Sequence, residues 1–162
     1  MPRKINATLD VPHWPAPRRL ARGGLHRMAW RDMGRGEPWL LLHGGPAMTH
    51  EYMECFESFF PAQGFEMIEY DQLGSYYSDQ PTDSSLWTVD RFVEEVEQVR
   101  KALNLDKDNF YLLGNSWGGI LAMEYALKYQ QKLKGLIVSN MMASGPEYGK
   151  YNLVLQQQMD KK

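Results

Sequence analysis

With 162 residues, of which 43% are hydrophobic, the chain is long enough to bury one real core. A net charge of −2 offers no global attraction to nucleic acid or to a membrane surface, although the first 37 residues carry eight Lys or Arg against three Asp or Glu. Cys55 stands alone, which excludes a disulfide framework and a cysteine-based metal site and leads to the expectation of a reducing, cytoplasmic setting.

Residues 1–21 combine Pro2, Pro12, Pro15 and Pro17 with Arg3, Lys4, Arg18 and Arg19, without helical or strand periodicity. They read as an extended or disordered, solvated arm, with no apolar h-region to make a signal peptide. No stretch approaches the roughly 18 apolar residues of a membrane span. Leu25 to Met33 reads as a strand, and Gly34 to Pro38 turns it into a second, Trp39-Leu40-Leu41-Leu42. The second strand is apolar throughout, as expected when helices cover both faces of a parallel sheet. It ends in His43-Gly44-Gly45-Pro46.

Residues 49–60 predict a short helix with Tyr52, Met53, Phe56, Phe59 and Phe60 on one side, broken by Pro61 to Gly64. Phe65 to Tyr70 is a strand ending at Asp71, and Gln72 to Ser85 a polar loop. Thr88 caps a helix running to about Leu103, with Phe92, Val96, Val99 and Leu103 inward and Glu94, Glu95, Gln98 and Lys101 towards water. Glu97 and Lys101 form an i,i+4 pair on it. A strand at Phe110 to Leu113, a helix to about Tyr129, a strand at Leu136 to Val138 and a helix at Tyr148 to Met159 complete the chain. Strands alternating with helices mean a mostly parallel α/β sheet with flanking helices.

Gly114-Asn115-Ser116-Trp117-Gly118 joins the buried strand to the apolar helix. Gly-x-Ser-x-Gly between strand and helix is the context in which an α/β-hydrolase lifts its nucleophile. The turn is so tight that side chains two before and two after the serine would collide, hence Gly114 and Gly118. Acyl transfer then needs donors for the oxyanion. The N–H of Trp117 is one, and Gly44 or Gly45, in the loop after the apolar strand, supplies the other.

The base is missing from the expected place. Asp or Glu and then His follow the serine in an α/β-hydrolase, yet His13, His26, His43 and His50 all precede Ser116. His43 reads as a residue that fixes its loop. His43 and His50 lack the spacing of a zinc site, and no phosphate-cradling or dinucleotide-binding run is present, so no cofactor or metal is expected. The tryptophans, Trp14, Trp30, Trp39, Trp87 and Trp117, read as core or pocket walls rather than a base-stacking platform.

Three motifs in order, Leu42-His43-Gly44-Gly45-Pro46, then Tyr70-Asp71-Gln72-Leu73-Gly74-Ser75 leading to Ser78-Asp79-Gln80-Pro81, then Gly114-Asn115-Ser116-Trp117-Gly118-Gly119, resemble the proline iminopeptidases. These are serine aminopeptidases on the α/β-hydrolase fold. The resemblance runs from about Gly24 to Met142. It implies that Ser116 is the nucleophile, that Trp117 and Gly44 or Gly45 form the oxyanion hole, and that Asp71 to Gly74 is a structural loop beside the site. Ala47 and Tyr76 stand where the family has glycines.

With the 1–21 arm, which matches nothing in that family, the expected division is a 1–21 arm, a 22–145 core and a 146–162 cap-helix start or frayed tail. On this expectation the fold is truncated before the cap and the C-terminal strands. The function expected is release of N-terminal proline or a similar residue from peptides or small amides through an acyl-enzyme, weak or absent in this chain because the triad acid and histidine have no counterpart. A non-catalytic interaction module and an esterase with its base supplied in trans are the alternatives. An unpaired sheet edge leads to expected self-association.

Overall fold

The computed structural model describes residues 19–23 and 26–159. Six strands form one sheet: β1 (Arg19–Gly23), β2 (His26–Gly34), β3 (Glu37–Leu42), β4 (Phe65–Tyr70), β5 (Tyr111–Asn115) and β6 (Gly135–Ser139), in the order β1-β2-β4-β3-β5-β6. β1 and β2 are antiparallel additions, whereas β4, β3, β5 and β6 run parallel. The arm boundary drawn at residue 21 therefore falls inside β1, and residues 1–18, with Trp14, lie outside the described residues. β2 does not pair with β3, its neighbour in sequence, because β4 is inserted between them.

The apolar run of β3 explains its central place. Leu40 and Leu42 join the core beneath α1 (Val89–Ala102) and α2 (Trp117–Tyr129), with Val96, Leu112 and Leu121. Leu41 faces the other way, onto Met53, Met67 and Leu113. Successive residues of a strand point to opposite faces, so a strand apolar at every position needs cover on both.

The second face is covered differently from the expectation. His50–Phe56 is a 3-10 helix rather than an α-helix, followed by a short 3-10 turn at Pro61–Gln63. Three residues per turn stack His50, Met53 and Phe56 on one side. His50 and Met53 are buried, while Tyr52 is 39% exposed and Phe59 65%.

Thr88 caps α1 as expected, its hydroxyl accepting from Arg91 N–H at 3.3 Å. Glu95 departs from its expected place in water: it is buried, paired with Arg91, and accepts Leu73 N–H at 3.2 Å. The pair of Glu97 with Lys101 is present at 3.3 Å, and Arg100 and the Tyr125 hydroxyl also bond to Glu97. α3 (Gly145–Met159) buries no side chain.

Candidate active site

Register brings three loops together. Tyr70 pairs with Leu42, and Leu42 with Gly114, so β4, β3 and β5 end at one level of the sheet. Their carboxyl ends deliver Asp71-Gln72, His43-Gly44-Gly45 and Asn115-Ser116 side by side, the usual place for a ligand on an open α/β sheet. β6 adds Ser139, opposite Asn115, and its carbonyl accepts Ser116 N–H at 3.0 Å.

Ser116 has φ 55 and ψ −121, a conformation unfavourable for a residue with a Cβ, and its side chain is exposed. The turn closes because of its glycines. A Cβ on Gly114 would overlap the Gly118 carbonyl, and one on Gly118 would overlap the Leu42 carbonyl. α2 begins at Trp117, so its first N–H groups have no carbonyl a turn behind them and face the position beside Ser116.

The glycine loop lies against this turn. A Cβ on Gly44 would sit 3.1 Å from the Ser116 Cβ and 3.1 Å from the Tyr52 hydroxyl. Gly44 N–H is already engaged, donating to that hydroxyl at 2.6 Å, and the phenol in turn donates to Asn115 Oδ1 at 3.1 Å. Gly45, at φ 127, has an N–H without a hydrogen-bond partner among the described residues. Of the two glycines left open by the sequence, Gly45 thus retains the available donor.

His43 is fully buried and has both nitrogens occupied. Its Nε2 accepts Gln72 N–H at 2.9 Å, so Nδ1 carries the proton and donates to the Gly44 carbonyl at 2.8 Å. Burial lowers its pKa and keeps the ring neutral. His50 Nδ1 lies 2.9 Å from Asp71 Oδ1, which also accepts His50 N–H at 2.9 Å. Among the described residues no histidine is hydrogen-bonded to Ser116, and none gathers with Cys, Asp or Glu into a group of three that suits a metal.

Gln72 ties two loops together: its Nε2 donates to the His43 carbonyl and its Oε1 accepts from Trp117 Nε1, both at 2.9 Å. Beside Trp117 opens a cavity of about 490 Å³ walled by Pro46, Leu73, Pro81, Trp87, Phe92 and Trp117. Trp87 packs over Gly74, whose φ of 89 and missing side chain let the indole approach. The bridging roles of Tyr52, Gln72 and Asn115 are not legible in the sequence. Gln72 stands within a motif that was recognised, but nothing in its spacing announced a bridge to Trp117.

A mostly parallel sheet with helices on its face and a strained serine turn at its carboxyl edge is the architecture of an α/β-hydrolase core. The chain belongs to the alpha/beta hydrolase fold family, which matches residues 37–161. Over 121 residues it is 83% identical to a proline iminopeptidase of Flavobacterium johnsoniae, covering 74% of this chain and 41% of that protein. It is 43% identical over 117 residues to one of Saccharolobus solfataricus, covering 72% of this chain and 37% of the relative. The crystal structure of proline iminopeptidase from Mycobacterium smegmatis superposes with a TM-score of 0.79 at 30% identity, covering 87% of this chain and 49% of that one. The chain thus spans about two fifths of the length of the curated relatives it matches. Among the described residues, no helix is long and apolar enough to cross a membrane.

Proposed function

We propose that this chain carries the nucleophile and oxyanion portion of a serine aminopeptidase that releases N-terminal proline from peptides. The observation that carries the reading is the strained turn that exposes Ser116 between the glycine loop and the start of α2. In this reading the turn is a nucleophile elbow. Ser116 Oγ attacks the carbonyl carbon of the N-terminal residue, and the oxygen that becomes negative is held by the N–H groups of Trp117 and Gly45. The leaving amine takes a proton, and water then hydrolyses the acyl-enzyme. The apolar cavity beside Trp117 accepts the pyrrolidine ring.

The serine proton needs a base, and none is bonded to Ser116 among the described residues. Without one, kcat falls by about 10⁴ or more, leaving oxyanion stabilisation and binding. The chain alone is therefore expected to turn over negligibly. Supplying the remaining three fifths of the Flavobacterium relative as a separate polypeptide tests the reading. Hydrolysis of prolyl-aminomethylcoumarin that Ser116→Ala abolishes supports it, hydrolysis that survives Ser116→Ala sinks it, and ester hydrolysis without prolyl preference favours an esterase. A second reading, an interaction module without catalysis, draws on α3, which buries none of its side chains. Stable association of the two polypeptides without hydrolysis favours that module.

A further inference from the structure

We propose that Tyr52 is a positioning residue of the acyl-transfer site, its phenol oxygen clamping the glycine loop to the turn that carries Ser116. The inference rests on the reading of Ser116 as acyl acceptor. An oxyanion hole assembled from two separate chain segments works only if their spacing is held, because a displacement near 1 Å costs about 10²-fold in rate. Here one half of the hole belongs to the loop after β3 and the other to the start of α2. The sheet fixes their approach as far as the pairing of Leu42 with Gly114 and no further.

Beyond that register, Tyr52 spans the gap. It accepts Gly44 N–H at 2.6 Å and donates to Asn115 Oδ1 at 3.1 Å, so one oxygen bonds to the residue before Gly45 and to the residue before Ser116. Asn115 is anchored on its other side, its Nδ2 donating to the Ser139 hydroxyl at 3.2 Å. The 3-10 winding that turns Tyr52 away from the core also brings it over the loop. Satisfying Gly44 N–H internally also prevents two adjacent glycine donors from competing for the same anion. Gly45 N–H is left without a partner among the described residues and so available to a substrate.

Pyrrolidine-2-boronic acid reads this at equilibrium. The Ser116 oxygen adds to trigonal boron, the serine proton leaves to solvent, and the tetrahedral boronate sits where the oxyanion forms, so no general base is required. In the wild-type chain, amide resonances of Gly45 and Trp117 are expected to move downfield on binding while Gly44 stays bonded to Tyr52. Tyr52→Phe is expected to raise Kd about tenfold, less than the 10²- to 10³-fold of deleting a direct donor. Its melting temperature should change by less than about 4 °C, within the effect of one lost hydrogen bond. Tyr77→Phe, which removes a phenol bonded at 2.6 Å to Glu51, is the control expected to keep wild-type affinity.

An unchanged Kd in Tyr52→Phe overturns the proposal, and a lower Kd overturns it by making the phenol a plug. A shift at Gly44 in place of Gly45 also overturns it. If Tyr52→Phe does not fold, Asn115→Ala removes the other end of the clamp, and wild-type affinity there counts against the role. Failure of the wild-type chain itself to bind the boronate overturns the reading of Ser116 first, and the Tyr52 role falls with it.

Discussion

Trp117 donates its indole N–H to Gln72 Oε1 at 2.9 Å, and the same amide gives its own N–H to the His43 carbonyl at 2.9 Å. A single buried side chain thus fastens the residue after Ser116 to the residue before the glycine loop. Gln72→Ala leaves a donor and an acceptor without partners, each worth about 1–3 kcal/mol when buried. Urea unfolding is expected to register a loss of about 2–3 kcal/mol. Gln72→Glu still accepts from Trp117 but sets a buried carboxylate oxygen against the His43 carbonyl, so it should be no more stable than Gln72→Ala at neutral pH. Equal stability of Gln72→Ala and wild type would remove the bridge from the account.

The turn glycines and Ala47 respond in opposite directions. Gly114→Ala and Gly118→Ala drive a Cβ into backbone carbonyls that cannot retreat, and each is expected to cost about 3 kcal/mol or prevent folding. Ala47 has φ 65, a conformation that costs an L-residue about 1–2 kcal/mol. Ala47→Gly relieves this and is expected to gain about 0.5–1 kcal/mol, after allowing for the greater freedom of glycine in the unfolded chain. A thermal scan should show a rise of about 1–4 °C. A lower melting temperature would mean that the loop tolerates alanine at this conformation without strain.

Glu69 gives the fold an unusual dependence on pH. Burial pushes its carboxyl from the ordinary 4.5 up to about 8, against the pull of Arg31, with the carboxylates of Glu57, Glu54 and Asp71 reinforcing the rise. Arg31 is shared, its guanidinium bonded to Glu54 and Glu57 and 3.7 Å from Glu69. Burial likewise lifts Glu95 to about 7, although Arg91 opposes it. An acid whose folded pKa is raised holds more protons folded than unfolded between the two values, so stability is full below about 4.5 and falls as pH climbs towards 8. Glu97 behaves oppositely. Hydrogen bonds from Arg100 and Tyr125 outweigh its burial and hold it at about 2, so its contribution is lost as pH falls from 4.5 towards 2. Stability should therefore peak on the acid side of neutral. Glu69→Gln is expected to match wild type near pH 4.5 and to exceed it by a few kcal/mol, roughly, at pH 8. Identical pH profiles for the two proteins would show that Glu69 is ionised in the fold.

Strand and helix positions were legible because their patterns are local. The run before Gly114, the four-three-four spacing from Phe92 to Leu103 and the Thr88 cap each depend on neighbours a turn away. Pairing order was less legible, since no local feature of β2 or β3 announces that β4 lies between them. Glu95 illustrates another limit: its helical position faces outward by periodicity, yet the Gln72 to Ser85 loop folds over it and its carboxylate takes Leu73 N–H. Ser116, Gly44, Gly45 and Trp117 were all visible as a pattern. Tyr52 was visible only as an apolar helix position, because choosing between 3-10 and α winding over seven residues depends on what the segment packs against.

The outer edge of β6 bears on how the chain behaves in solution. Among the described residues β6 pairs only with β5, and Leu136 and Val138 on it are each 39% exposed. Nearby in sequence, α3 leaves Tyr148, Tyr151, Leu153 and Met159 in water. An unpaired parallel strand beside apolar side chains is a template for another strand, and natural proteins blunt such edges with lysine. Light scattering coupled to size exclusion is expected to find a mass that rises with concentration in the wild-type chain. Val138→Lys places a charge on the edge strand at an exposed position, and should return the chain towards monomer. A monomer at all concentrations in both proteins would mean that the edge is protected, and that the exposed face of α3 has another reason.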